Sequence, residues 1–241
     1  MRLTRTQLAV WLLVGGPILV FSLWAVFDNT RLYFVTLLNS LTLASLYFIV
    51  ASGFTLVFGL MRNVNLAHGS LYLLGGYVAY TVAGATGWWV LAAAAGFLAA
   101  ALGGVLMQVL ILRHMQGQEL RQTMVTIGLS IVIADILLWI FTGQVHQMEA
   151  PEWLQGPIRG IPLINAYSAY RLSLLGFGIA IGLGLWWLLS RTRVGAMIRA
   201  GVDDRGMLAA SGVNVNLVFA ITFALGAGLA GFGGVIGAVE L

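Results

Sequence analysis

The sequence predicts an all-α membrane protein, a polytopic bundle of about seven transmembrane helices. Hydrophobic residues make up 60% of the 241 residues, charged residues only 8%, and the mean hydropathy is +0.97. Apolar runs of roughly twenty residues recur along the whole chain, as membrane-spanning helices require. A membrane admits only helices or closed barrels, and because these runs lack a two-residue alternation, we expect helices.

The apolar runs define the predicted spans in chain order. They cover residues 8–27, 33–60, 71–85, 88–112, 123–142, 172–189 and 217–239. The first run is long for a signal core and ends without a small-residue cleavage motif, so we interpret it as a retained helix; a cleaved signal peptide is the alternative. The third run is short, contains Gly75-Gly76 and follows the polar segment 62–70, which predicts a discontinuous helix that lines a pathway.

The arginines predict the orientation in the membrane. All twelve basic residues are arginine, and placing the N-terminus in the cytoplasm puts nine of them inside and three outside. The nine are Arg2, Arg5, Arg62, Arg113, Arg121, Arg191, Arg193, Arg199 and Arg205, and the three are Arg31, Arg159 and Arg171. This bias has the direction of the positive-inside rule. It predicts that the loop 191–213 is cytoplasmic and that the proline-containing loop 143–170 is extracytoplasmic.

The composition excludes several classes of function. Without lysine there is no P-loop or Schiff-base lysine, and without cysteine there is no thiolate nucleophile. The histidines, His68, His114 and His146, lie far apart, so we predict no metal site and no catalytic residues. An isoelectric point near 9.9 would suggest nucleic acid in a soluble protein, but here we interpret it as an orientation signal and expect no nucleic-acid partner.

The segment 191–213 is the polar region on which the functional interpretation depends. It carries four arginines between two long apolar runs in a chain that is only 8% charged. We expect Arg193 and Arg199 to lie on an extension of the sixth span. The alternative is a solvated loop whose arginines only fix the topology.

The same segment contains the signals of a short helix. Asp203 or Asp204 can cap it, because a carboxylate accepts hydrogen bonds from the free N–H groups at a helix start and favours the positive end of the dipole. The helix would run over 205–211, and Gly212 would end it. A short helix on the cytoplasmic face is a surface that a soluble partner can grip.

Polar residues inside the apolar runs are further candidates. Thr126 and Ser130 share one face of the fifth span, where they either line a path or bond back to the preceding turn. Asp135 projects from the opposite face, and we favour pairing with another helix over contact with a substrate. For His68 we favour a structural role in holding the broken helix.

Four stretches resemble the permeases of branched-chain amino acid ABC transporters. They are T-R-V-G-A-M-I-R-A-G-V-D-D-R-G-M-L-A-A-S-G-V-N at 192–214, L-N-S-L-T-L-A-S-L-Y at 38–47, N-L-A-H-G-S-L-Y-L-L-G-G-Y at 65–77 and T-I-G-L-S at 126–130. The first resembles the coupling loop of that family, and the third its N-F-A-H-G signature with Leu66 for Phe. The chain departs from the pattern at Gly206, Met207 and Leu208, where the family often has an E-A-A-like triplet.

The resemblance implies a permease subunit of an ATP-driven importer for branched-chain or related amino acids in the plasma (inner) membrane. It further implies a second homologous permease subunit, two cytoplasmic ATPase subunits that bind ATP and magnesium, and an extracytoplasmic substrate-binding protein. No cofactor would bind this chain. Residues 1–32 would be an additional transmembrane helix, and residues 33–241 the permease domain, which we expect to be incomplete at its C-terminus.

The resemblance also implies two sets of site residues within the permease domain. The candidates for the translocation path are Asn39, Asn63, Asn65, His68, Ser70, Thr126 and Ser130. The candidates for coupling to the ATPase, all within 191–213, are Arg193, Gly195, Arg199, Asp203, Asp204, Arg205 and Gly212.

Alternatives stay open at this point. An ion- or proton-coupled secondary transporter would use Asp135 as its coupling acid and would need no ATPase. Within the family, urea or short amides are alternative substrates. An intramembrane enzyme is disfavoured, because no paired acids, metal ligands or activated nucleophile converge in the sequence.

Overall fold

The described residues of the chain fold into a helical bundle with one small, antiparallel pair of strands. The computed structural model describes residues 15–61, 64–115, 117–143, 146–161 and 164–240. The helices in these ranges are α1 Gly16–Asp28, α2 Thr30–Met61, α3 His68–Thr86, α4 Trp89–Leu110, α5 Glu119–Phe141, α6 Ala169–Arg191, α7 Arg193–Asp203, α8 Arg205–Ala210 and α9 Val215–Glu240. Short 3₁₀ turns at Leu112–Met115 and Glu152–Leu154 and the strands β1 Pro157–Ile161 and β2 Ile164–Ser168 complete the described structure.

The predicted fold class, an all-α polytopic bundle, is confirmed. Within the described residues, five helices are long and apolar enough to cross a membrane, namely α2, α4, α5, α6 and α9. The predicted number of seven spans is not confirmed. The described part of α1 has only 13 residues, and α3 is not among the five because its histidine, serine, tyrosines and glycines lower its hydropathy.

Helix α9 is the centre of the bundle and packs against α2, α3 and α4. In the most apolar 18-residue stretch of α9, 56% is buried, whereas the corresponding share is 11% in α5 and 11% in α6. A Cβ on Gly75 of α3 would collide with the backbone of Gly231 on α9, and one on Gly96 of α4 would lie 2.6 Å from the Gly75 carbonyl oxygen. Small residues let helix backbones approach closely in a membrane, so these glycines allow the three helices to pack tightly together.

The described part of the predicted extracytoplasmic loop lies at the end of the bundle where α3, α5 and α9 terminate, which we call the outer end. Strands β1 and β2 pair antiparallel, and the Tyr167 hydroxyl donates a hydrogen bond of 2.9 Å to Asn39 Oδ1 on α2. The Tyr170 hydroxyl, in the first turn of α6, donates to the Ile236 carbonyl on α9 at 3.2 Å. These hydrogen bonds hold the hairpin against α2 and the start of α6 against α9.

At the opposite, inner end, the structure corrects one prediction, because α7 does not extend α6. The backbone at Thr192 is extended, with φ −107° and ψ 157°, and Thr192 Oγ1 accepts a hydrogen bond from the Gly195 N–H at 3.0 Å. A Cβ on Gly195 would collide with the backbone of Leu188 and Leu189 in α6. The chain therefore turns at a threonine cap, and α7 is a separate helix packed against α6, α2 and α9.

Candidate functional site

Helix α7 presents one apolar and one charged face. Gly195, Ile198 and Gly201 are buried, whereas Arg193 and Arg199 are exposed. This division is typical of a helix that lies on the surface of a bundle with its charged side in water. The α7–α8 segment, residues 193–210, therefore combines a fixed base with an accessible charged surface.

The buried face of α7 belongs to a hydrophobic cluster that joins several helices. Ile198 packs in one cluster with Val57 of α2, Leu112 of the first 3₁₀ turn, and Phe219 and Phe223 of α9. Protein interiors are close-packed and transmit strain. A displacement of α7 would consequently be transmitted to α2 and to the central helix α9.

Helix α8 begins at Asp204, whose Oδ1 accepts a hydrogen bond of 3.0 Å from the Met207 N–H. Of the two predicted caps the structure selects Asp204, and Asp203 is the last residue of α7. Gly212 has φ +81°, a conformation that favours glycine at the end of a helix. The prediction of a short, aspartate-capped helix is thus confirmed, although α8 ends one residue earlier than expected, at Ala210.

Arg205 differs from the other arginines of the segment because it is half-buried. Its guanidinium carbon lies 5.0 Å from the centroid of the Phe219 ring, within the range of a cation–π contact. Arg205 therefore holds α8 on α9, and the charges left exposed to a partner are those of Arg193, Arg199, Asp203 and Asp204. A cavity of about 350 Å³ opens between this segment and the start of α5.

Most of the predicted path residues meet where α3 lies against α5. Ser70 Oγ lies 2.9 Å from both the hydroxyl and the carbonyl oxygen of Ser130. The Leu66 N–H donates to Thr126 Oγ1 at 3.3 Å, and the Thr126 hydroxyl donates to the Thr123 carbonyl at 2.9 Å. These hydroxyls thus bond to each other and to the backbone, joining α5 to α3 and the loop before it.

Asn65 and His68 lie at the start of α3 and are buried. His68 Nε2 lies 3.1 Å from the Val50 carbonyl oxygen, and Asn65 Oδ1 accepts a hydrogen bond of 3.1 Å from the Ala67 N–H. His68 therefore links the start of α3 to α2, in agreement with the structural role favoured from the sequence. Asn65 Nδ2 and His68 Nδ1 have no hydrogen-bond partner among the described residues.

The remaining polar candidates lie apart from this contact. Asn63 falls outside the described residues, and Asn39 is at the outer end, where it accepts hydrogen bonds from Tyr167 and from Arg171 NH1, the latter at 3.2 Å. Asp135 is exposed on α5 and forms no hydrogen bond or ion pair with the described part of the chain. The expected pairing of Asp135 with another helix is therefore not found among these residues.

The contribution of the hydrogen bond between the Ser70 and Ser130 hydroxyls to stability can be measured with a double-mutant cycle. Because both hydroxyls lie between packed helices, we expect Ser70→Ala and Ser130→Ala each to destabilise the protein. The coupling between them should be about 0.6 kcal/mol, the average for such bonds in membranes. Thermal unfolding of the two single variants and the double variant in detergent measures this coupling, and strictly additive effects would contradict the bond.

A known protein family matches most of the chain. The model of the family described as the permease component of the branched-chain amino acid transport system matches residues 36–241. The chain belongs to this family. Similar to it is the high-affinity branched-chain amino acid transport system permease protein BraD of Pseudomonas aeruginosa, 28% identical over 217 residues, which are 85% of this chain and 70% of that protein.

The corresponding permease protein LivH of Escherichia coli K12 is 28% identical over 223 residues, with the same coverage, and LivH of Salmonella typhimurium is 27% identical. No solved structure matches the chain significantly. The family resemblance inferred from the four motifs is confirmed, and with its apolar helices the chain is a multi-pass membrane protein of a transport family. The matched range begins inside α2 and leaves α1 outside.

A second group of residues, which was not predicted from the sequence, lines a cavity of about 320 Å³ at the outer end, between α3, α9 and the chain after α5. Its walls include Tyr72, Tyr77, Tyr80 and His146. A signal for it was present, because positions 72, 76, 77 and 80 share one side of a helix and carry tyrosines and a glycine. What the sequence could not supply was the neighbouring face of α9.

Proposed function

We propose that this chain is the permease subunit of an ATP-driven importer of branched-chain or related amino acids in the plasma (inner) membrane. It forms the translocation path together with a second, homologous permease subunit. Two cytoplasmic ATPase subunits bind ATP and magnesium and supply the energy, and an extracytoplasmic binding protein delivers the substrate. Membership of the permease family supports this function, as do the names of the relatives, which describe high-affinity branched-chain amino acid transport.

The observation that carries the proposal is the construction of the α7–α8 segment. Its exposed side offers Arg193, Arg199, Asp203 and Asp204 to a partner in water. Its buried side is fixed to α2 and α9 through the cluster around Ile198. An ATPase that pulls on the charged face would therefore move the helices that surround the path, which is what coupling requires.

The arginine distribution supports a cytoplasmic orientation of the segment. With the N-terminus in the cytoplasm, nine of the twelve arginines of the sequence are predicted to lie on the cytoplasmic side, where the α7–α8 segment would face the ATPases. The outer end, with the β-hairpin, then faces the binding protein. No step of ATP hydrolysis is assigned to this chain, because all twelve of its basic residues are arginine and a P-loop needs lysine.

Uptake by the reconstituted transporter tests the proposed function. The chain, its partner permease, the ATPases and the binding protein are placed in proteoliposomes, and uptake of labelled leucine is measured with ATP and with a non-hydrolysable analogue. We expect uptake only with hydrolysable ATP, and little competition from urea or acetamide. Uptake that persists without the ATPases and collapses with the proton gradient would instead establish a secondary transporter.

A further inference from the structure

The cavity at the outer end is built differently from a surface that faces lipid. Tyr72, Tyr77 and Tyr80 of α3 form one wall, and Gly234 and Gly237 of α9 contribute to the other. The exposed face of α4, by contrast, carries leucines such as Leu98, Leu102 and Leu106. A tyrosine has an apolar ring and a polar hydroxyl that needs water or a hydrogen-bond partner, so this face of α3 is more polar than the leucine face of α4.

Ring contacts hold the aromatic wall in place. The rings of Tyr77 and Phe141 are stacked with their centroids 4.3 Å apart, and those of Tyr80 and His146 are 4.6 Å apart. His146 Nε2 lies 3.2 Å from the Phe141 carbonyl oxygen, which joins the chain after α5 to the end of that helix. A wall fixed by such contacts is preorganised, so a ligand that binds to it loses little free energy to the ordering of side chains.

The lining of the cavity limits the ligand that it can hold. Its volume of about 320 Å³ suits a small molecule. Among the described residues that line it there is no aspartate, glutamate, lysine or arginine. The net charge of a charged ligand would therefore have no opposite charge in the lining. A zwitterion has no net charge, and its two ends can be bound separately: the ammonium group can lie over a tyrosine ring, and the carboxylate can accept hydrogen bonds from tyrosine hydroxyls.

We propose that this cavity is a substrate-binding station on the extracytoplasmic side of the translocation path, and that it takes a zwitterionic amino acid with an uncharged, apolar side chain. The assignment rests on the proposed import function and adds the site to it. It differs from the path that the motifs predicted, because the hydroxyls of Ser70, Thr126 and Ser130 are already engaged in bonds within the protein. The aliphatic side chain would lie against the apolar part of the lining, which includes Leu73, Gly237 and Ala238.

Thiol accessibility in the complete transporter tests the site, since the chain has no cysteine of its own. Leu73 lines the cavity and is 41% exposed, and Leu98 on α4 is 62% exposed on an aliphatic face. We expect a membrane-impermeant thiol reagent, added outside, to label Leu73→Cys rapidly and Leu98→Cys slowly, and leucine to protect Leu73→Cys while lysine does not. Equal labelling of the two variants, or no protection by leucine, would overturn the proposal.

Uptake by tyrosine variants separates this inference from the proposed function. We expect Tyr80→Ala to lower the rate of leucine uptake about tenfold, Tyr80→Phe to retain most of it because the ring remains, and Tyr33→Ala, on α2 outside the cavity, to match wild type. If wild type takes up leucine with ATP and Tyr80→Ala does so equally well, the binding station is wrong and the import function stands. If wild type shows no ATP-dependent uptake, both fail.

Discussion

Gly75→Ala is expected to remove most of the folded protein from the membrane. The added methyl group would collide with the backbone of Gly231 in the central helix α9. Backbone atoms in a contact between two helices cannot move aside as a side chain can. We therefore expect destabilisation of about 3 kcal/mol, the upper part of the range for overpacked cores.

Gly84→Ala is the matched control, because it lies in the same helix and a Cβ there would meet nothing within 4 Å. Replacing a helical glycine with alanine in open space should be neutral or stabilising, by up to about 1 kcal/mol. Membrane abundance and thermal unfolding of the two variants in detergent provide the comparison. If Gly75→Ala melts together with Gly84→Ala, the close packing of α3, α4 and α9 described above is wrong.

The second large effect is expected from Arg199→Ala combined with Asp204→Ala. Both side chains are exposed on the α7–α8 segment, and Asp204 also caps α8. Their loss should reduce the ATPase rate of the transporter in the presence of substrate to its unstimulated value, and uptake should stop. Because neither residue lies in the buried cluster that joins α7 to α9, the amount of inserted protein should stay the same.

Two controls distinguish a lost contact from a lost helix. Arg191→Ala removes an exposed arginine just outside the α7–α8 segment and should leave stimulation intact. Asp204→Asn keeps a side chain that caps helices well and removes only the negative charge. Full stimulation in the double alanine variant would show that this surface does not receive the signal from the ATPases.

Local chemistry was predictable from the sequence. The aspartate before α8 and the glycine after it fix that helix through a cap and a positive φ, both of which depend on residue type and close neighbours. The break at Thr192 also has a local signal, namely a threonine three residues before a glycine. The sequence nevertheless predicts a continuous helix here, because the charged stretch follows the sixth span directly. The cause of the break lies partly in tertiary packing, because Gly195 is pressed against α6.

Long-range consequences were less predictable. The polar residues of the 65–77 and 126–130 motifs do meet, yet spacing alone could not show that Ser70 and Ser130 satisfy each other. The tyrosine cavity needs two faces, and the sequence offers only the one on α3. The predicted number of seven spans is not confirmed, because only five of the described helices are long and apolar enough to cross a membrane. Helix α3, which is rich in glycine and tyrosine, packs inside the bundle without the hydropathy of a lipid-facing helix.

The central claim is that a separate ATPase acts on this chain from the cytosol through the α7–α8 segment. Met207, on α8, is 71% exposed, and in a chain without cysteine Met207→Cys provides a single reactive position. In the assembled transporter we expect this cysteine to react only with reagents on the cytoplasmic side, and to form a cross-link to an ATPase subunit whose yield changes when ATP is hydrolysed. Labelling from the outside, or an active complex in which no cross-link to the ATPase forms, would contradict the account.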